Sequence, residues 1–83
     1  MSRSFRAYLQ DIRDCIVKIL DYTKGYDYSR FTKDEKTIDA VVRNIEIIGE
    51  ASKHLSDDIK GLDSQIPWKA IAGMRDKMVH DYF

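Results

Sequence analysis

The segment from Thr32 to Leu55, "TKDEKTIDAVVRNIEIIGEASKHL", decides the architecture. Ile38, Val41, Val42, Ile45, Ile48, Gly49 and Ser52 recur at three- and four-residue steps, the apolar stripe of an amphipathic helix. Thr32 and Glu35 read as a Thr-x-x-Glu capping box, so this helix is expected to open at Thr32 and end near Leu55. Ile47 falls off the stripe and gives the helix apolar character on more than one side. A helix of that kind is central in a bundle or lies at an interface. Gly49, Ala51 and Ser52 are small enough to let another helix approach closely.

Toward the N-terminus, "SRSFRAYLQDIRDCIVKILDYTKGY" (residues 2–26) places Phe5, Tyr8, Leu9, Ile12, Ile16, Ile19 and Leu20 on one helical stripe. Gly25 is a natural stop, and the stretch to Phe31 reads as a connector. Toward the C-terminus, "SDDIKGLDSQIP" (residues 56–67) breaks the pattern, and Pro67 fits the first turn of a new helix. That helix carries Trp68, Ile71 and Ala72, either interrupted at Gly73 or continuous through it, and runs on to Phe83. Strand alternation, internal repeats and low-complexity tracts are all absent from the sequence. The expectation is an all-α, antiparallel, up-and-down bundle forming a single domain over residues 1–83, with a core one helix short. The faces of Trp68, Ile71 and Met78, with Ile47, would then need a partner, most simply a second copy of the chain.

The totals fit a folded chain of 83 residues: hydrophobic residues make up 43% and charged ones 34%, with one proline and four glycines. Lys+Arg and Asp+Glu are 14 each, so net charge is zero. A stand-alone nucleic-acid binder shows a basic excess, and this chain has none. Contact with nucleic acid must come from a local cluster, or from two chains pooling their charge. The lone Cys15 lies in an apolar helical pattern and reads as a small core residue. No apolar run approaches membrane-spanning length and no secretory signal is recognisable, so a cytoplasmic protein is the expectation.

Chemistry concentrates in "GMRDKMVHDYF" (Gly73–Phe83). Arg75 is a permanent cation whose planar fork suits phosphate oxygens. His80 can give and take protons near neutrality. Together they suffice for metal-free RNA cleavage, with the histidine moving protons on the 2′-hydroxyl or the leaving oxygen and the arginine stabilising charge on phosphorus. Metal ligation is poorly provided for, since no Cys/His cluster or His-x-x-x-His spacing occurs, and no cofactor is implied. Five residues turn a helix by about 140°, so Arg75 and His80 do not share a face, whereas Arg75 and Tyr82 do, roughly 10 Å apart. Asp76 stands four residues before His80, where its carboxylate can orient the imidazole. An Arg–His site is therefore easiest to build from two chains. The plain alternative is ordinary capping with a packed aromatic. His54 reads more plainly still, as a polar-face residue near a helix end, where a cation suits the dipole.

"MRDKMVHDYF" also matches Arg-x-x-x-x-His-x-Tyr, and the chain resembles the HepT-like branch of the HEPN superfamily. "RNIEIIGEASKHL" (Arg43–Leu55) is similar to that family's second helix and "IPWKAIAGMRDKMVHDYF" (Ile66–Phe83) to its next block. The resemblance implies an all-α homodimer that brings two motifs into one cleft and acts as a metal-independent endoribonuclease. It implies the toxin of a type VII toxin–antitoxin pair, neutralised by a minimal nucleotidyltransferase antitoxin that attaches AMP to the motif tyrosine. By position, Arg75 and His80 become the catalytic residues and Tyr82 the modification site. Relatives often carry Asn where this chain has Asp76, and they continue past the tyrosine into a further helix, so a C-terminally truncated member is expected. Two other readings stay open: a non-catalytic helical interaction module, and a nucleotide-binding regulator that uses Arg75 and Tyr82.

Overall fold

The helix Glu35–Lys53 is the element on which the two other long helices pack. The computed structural model describes residues 4–62 and 66–82, with the side chains at 74, 78, 79, 81 and 82 outside that description. Its helices are α1 (Phe5–Tyr22), α2 (Tyr28–Thr32), α3 (Glu35–Lys53), α4 (Asp57–Gly61) and α5 (Trp68–Tyr82). No strand occurs among the described residues. Both long partners, α1 and α5, lie against α3, and both run antiparallel to it. Tyr8 near the start of α1 meets His54 at the end of α3, while Arg75, halfway along α5, meets Gly49 and Glu50. The expected all-α antiparallel bundle is what the chain forms. No described helix is long and apolar enough to cross a membrane.

The core is built from Ile12 and Cys15 of α1 and Ile48, Ala51 and Leu55 at the α3 end, with Tyr8, Leu9, Ile19, Ile47, Ile59, Trp68 and Ile71 around them. Burial raises the Cys15 thiol above its ordinary pKa, as its place in this cluster requires. Ser52, 1% exposed, donates its hydroxyl to the Gly49 carbonyl, so the polar atom is satisfied inside its own helix. Ile47, Trp68 and Ile71 find their cover within the chain and do not stand open as the sequence suggests. The side chain of Met78 lies outside the described residues.

The α1 stripe is narrower than its sequence. Ile16 and Leu20 are 45% and 65% exposed, as is Phe5 at 42%, because α1 meets one long helix only and the seam follows Ile12, Cys15 and Ile19. Each four-residue step advances a helical position by about 40°, which carries Ile16 and Leu20 off that seam.

Helix boundaries differ from expectation at three places. Residues 28–32 form a one-turn helix where a connector was expected, and α3 starts at Glu35, not Thr32. Its cap is Asp34, whose Oδ1 accepts the Thr37 N–H at 3.1 Å, while Thr32 closes α2 by donating its hydroxyl to the Ser29 carbonyl. The competitor the capping-box reading overlooked is Tyr26, which donates to Asp34 Oδ2 at 2.6 Å and carries the Arg30 guanidinium 3.9 Å above its ring. Gly25, at φ 77°, supplies the left-handed turn that brings Tyr26 round to that cap. The break at 56–67 likewise contains a turn of helix, α4, capped by Ser56. Pro67 stands just before α5, its carbonyl accepting the Ile71 N–H at 3.0 Å.

Two glycines on neighbouring helices give opposite expectations for one substitution. A Cβ on Gly49 would lie 2.5 Å from Arg75 Cγ and nearer still to its Cβ, whereas one on Gly73 would meet open space. Gly73→Ala should stabilise by roughly 0.4–1 kcal/mol, the helical gain from alanine. Gly49→Ala makes the same gain but forces α5 outward, an overpacking cost of about 1–3 kcal/mol, and should destabilise. Urea denaturation of both variants checks the pair, and a Gly49→Ala protein as stable as Gly73→Ala would refute the close approach.

A second expectation concerns pH. Hydrogen bonds, first from Tyr26 and then from Thr37, hold the Asp34 carboxyl below its ordinary value of 3.8. A carboxyl lowered by folding adds stability above its unfolded value and loses it as pH falls through the folded one. Asp34→Ala should therefore melt earlier than wild type at neutral pH, with the gap closing below pH 3.8. A gap that stays constant into acid would show that the carboxylate charge is irrelevant.

Candidate functional site

Trp68 sets the register of α5. Its indole N–H donates to the Lys60 carbonyl at 3.0 Å, and its ring packs on the core with Ile71. Positions 68, 71 and 75 share one helical face, so the side that buries Trp68 and Ile71 carries Arg75 onto α3 one turn later. There the arginine stem crosses Gly49. Its guanidinium is held on two sides: Nη2 lies 3.1 Å from Glu50 Oε2, and Nη1 lies 3.2 Å from Asp76 Oδ1. The same Asp76 oxygen accepts from Lys53 Nζ at 3.0 Å.

Asp76 is kept ionised by these contacts, its carboxyl drawn below the ordinary range first by Lys53 and then by Arg75. Lys53 and Arg75 balance Glu50 and Asp76, so the carboxylate beside the arginine is offset locally. Glu50, Lys53 and Asp76 are each about half exposed, and such ion pairs contribute little energy. Packing of the arginine stem on Gly49 therefore fixes where the guanidinium is, and the carboxylates fix its orientation.

The guanidinium borders an open cleft of about 390 Å³, shared with Tyr8 and Asp11 of α1 and Arg43, Glu50 and His54 of the α3 region. His54, the C-cap of α3, stacks its ring on Tyr8, with centroids 4.5 Å apart and planes 4° from parallel. Its Nε2 lies 3.8 Å from Glu50 Oε1. One carboxylate thus stands between an imidazole and a guanidinium. Among the described residues, no group of three or more His, Cys, Asp or Glu side chains is placed to hold a metal ion.

The residues of the expected site are distributed unevenly. Arg75 and Asp76 lie at the cleft and its rim, while His80 is exposed and is not among the cleft residues. Within one chain Arg75 and His80 are not brought together, as their 140° offset on the helix requires. Tyr82 closes α5, and its side chain is outside the described residues. Asp76 Oδ1 accepts from Lys53 and from Arg75. Sequence reasoning missed Tyr8, Glu50 and His54. The Glu50–His54 spacing of four was visible, but the link to Tyr8 and Arg75 needs the antiparallel register of three helices.

Comparison with known proteins follows this geometry. The ribonuclease HepT-like family model matches residues 12–83, which include the cleft residues of α3 and α5. A Thermococcus cleftensis protein named "Probable ribonuclease HepT" is 47% identical over 83 residues, covering 100% of this chain and 76% of the relative. A Methanocaldococcus jannaschii protein provisionally named as an RNase is 43% identical over 81 residues, 98% of this chain and 67% of its own length. Another so named, from Caldanaerobacter subterraneus subsp. tengcongensis, is 44% identical over 78 residues, 94% of this chain and 70% of its own. No solved structure matches the chain. With the family model and these relatives in agreement, the chain belongs to the HepT-like ribonuclease family.

Proposed function

We propose that this protein is a metal-independent endoribonuclease, the toxin of a type VII toxin–antitoxin pair, with Arg75 and His80 as catalytic residues in a site assembled from two copies of the chain. The observation that carries the reading is the arginine itself: its guanidinium is fixed at the rim of a cleft by packing on Gly49, with Glu50 and Asp76 orienting it. Guanidinium has five N–H donors, so two carboxylate contacts leave others for a phosphodiester. His80 is exposed, as a group completing a neighbouring chain's site must be. In the reaction, His80 takes the 2′-hydroxyl proton, the 2′-oxygen attacks phosphorus and the bond to the 5′-oxygen breaks. The departing 5′-oxygen takes up a proton, and the products are a 2′,3′-cyclic phosphate and a 5′-hydroxyl. Arg75 stabilises the charge that builds on the non-bridging oxygens. A role for Asp76 in orienting His80, in this chain or its neighbour, belongs to the same reading.

Cleavage of a labelled oligoribonucleotide should survive excess EDTA. His80→Ala should abolish it, and Arg75→Ala should lower kcat/KM by about 10²–10³-fold, the scale for one lost charge stabiliser. Each variant alone keeps about 1% of the activity or less, yet equal mixing should restore about a quarter of wild-type activity, because half of the exchanging dimers are mixed and each holds one whole site. Failure of the mixture to recover would place both residues of a site on one chain. If chelation stops the reaction while both variants still cut RNA, the site assignment is wrong; if wild type itself cuts no RNA, the alternative of a non-catalytic interaction module takes over.

The partner we propose is a minimal nucleotidyltransferase antitoxin that transfers AMP from ATP to the Tyr82 hydroxyl and releases pyrophosphate. Seven residues from Arg75, Tyr82 returns to nearly the same helical face. A phosphate there can pair with the guanidinium, and the adenine would obstruct the RNA path. Intact mass after incubation with ATP, magnesium and the cognate enzyme should rise by one or more AMP units and stay unchanged in Tyr82→Phe. A rise that persists in Tyr82→Phe puts the modification elsewhere.

A further inference from the structure

Cyclising cleavage of RNA moves two protons, one off the 2′-hydroxyl and one onto the departing 5′-oxygen. Arg75 stays charged and carries neither. The chain has two histidines. His80 is assigned one proton; the histidine that shares a cleft with Arg75 is the other, His54. Its surroundings differ from those of a side chain that merely ends a helix. Stacking on Tyr8 fixes the plane of the ring. Glu50 reaches it through Oε1 and Arg75 through Oε2, at 3.8 and 3.1 Å, so imidazole and guanidinium border the same space. The imidazole is 48% exposed, open to a chain entering from solvent.

We propose that His54 is a second catalytic residue of this ribonuclease, the acid that protonates the departing 5′-oxygen. The proposal rests on the ribonuclease reading above. The balance is complete without a further reactant: the 2′-oxygen–phosphorus bond forms, the phosphorus–5′-oxygen bond breaks, His80 gains a proton and His54 gives one up. Solvent returns each histidine to its starting form. Glu50 suits the donor role because its ion pair with His54 exists only when the imidazole carries its proton. Tyr8 and Glu50 meet the ring, and the other charged groups lining its cleft are Asp11 from α1, Arg43 and Glu46 from α3, and Arg75 from α5. Removing the proton carrier should cost about 10²–10³-fold in kcat, within the range for general acid catalysis.

The experiment separates an acid from a packing residue. His54→Phe keeps a ring to stack on Tyr8 and removes the proton. Wild type and variant are compared on one oligoribonucleotide in two forms: the ordinary diester, and the same strand with sulfur replacing the 5′-bridging oxygen at the linkage that wild type cuts. A thiolate leaves without being protonated, so that form needs no acid. His54→Phe should lose about 10²–10³-fold on the oxygen strand and less than about threefold on the sulfur strand. Equal losses on both strands, or no loss on the oxygen strand, overturn the proposal. His54→Gln, which keeps a polar group at the helix end, is read in the same way if the phenylalanine variant loses its helical circular dichroism. A wild-type protein that cuts neither strand overturns the ribonuclease reading and this proposal with it; one that cuts both, with a variant that cuts both equally well, overturns only this proposal.

Discussion

The stem of Arg75 lies where a side chain at position 49 would otherwise be, and this single overlap ties the fold to its chemistry. A helix of nineteen residues offers its partner one gap, and the partner fills it with the residue that bears the fork. Because the aliphatic part of the arginine packs while its head stays at the surface, burial and charge are divided along one side chain. The carboxylates of Glu50 and Asp76 then act on a group already located. An arrangement that relied on exposed ion pairs alone would hold the guanidinium loosely, since each such pair contributes only a few tenths of a kcal/mol to about one. Here steric exclusion sets the position, and electrostatics refines it.

Most of this could be read from the residues, and what could not has identifiable causes. The stripe from Ile38 to Ser52 announced α3 and its central place, because a helix covered on two sides needs apolar residues off its main face, and Ile47 is one. Small residues at 49, 51 and 52 announced a close neighbour without saying which. The capping error came from a local rule meeting a distant competitor: Thr32-x-x-Glu35 is sound chemistry, but Tyr26 reaches across eight residues to fasten Asp34 and moves the start. Ile16 and Leu20 misled for a different reason. Periodicity marks which residues can face a core, and the number of neighbouring helices decides how many of them do.

The site was legible in proportion to its locality. Arg75 stood out through its residue type and its place five residues before His80 and seven before Tyr82. His54 did not, because nothing within a few residues distinguishes a histidine that caps a helix from one that faces a cleft. Its meaning comes from Tyr8, forty-six positions away, and from a carboxylate whose other oxygen is engaged by another helix. Antiparallel pairing of α1 with α3, and of α3 with α5, is what collects these three distant segments at one end of the bundle. Local patterns therefore gave the scaffold, and the meeting of its ends gave the cleft.

Trp68 is the chain's only tryptophan, and its place has an optical consequence. Its indole N–H is bonded to the Lys60 carbonyl and its ring rests on the core, on the face of α5 that continues into Arg75. Any displacement of that helix would break this bond and wet the ring, so intrinsic fluorescence at long excitation wavelength reports a single event, the docking of the arginine-bearing helix. The five tyrosines contribute little there. The protein thus carries its own probe of whether the cleft is assembled, without any label, and at the same helix that carries Arg75.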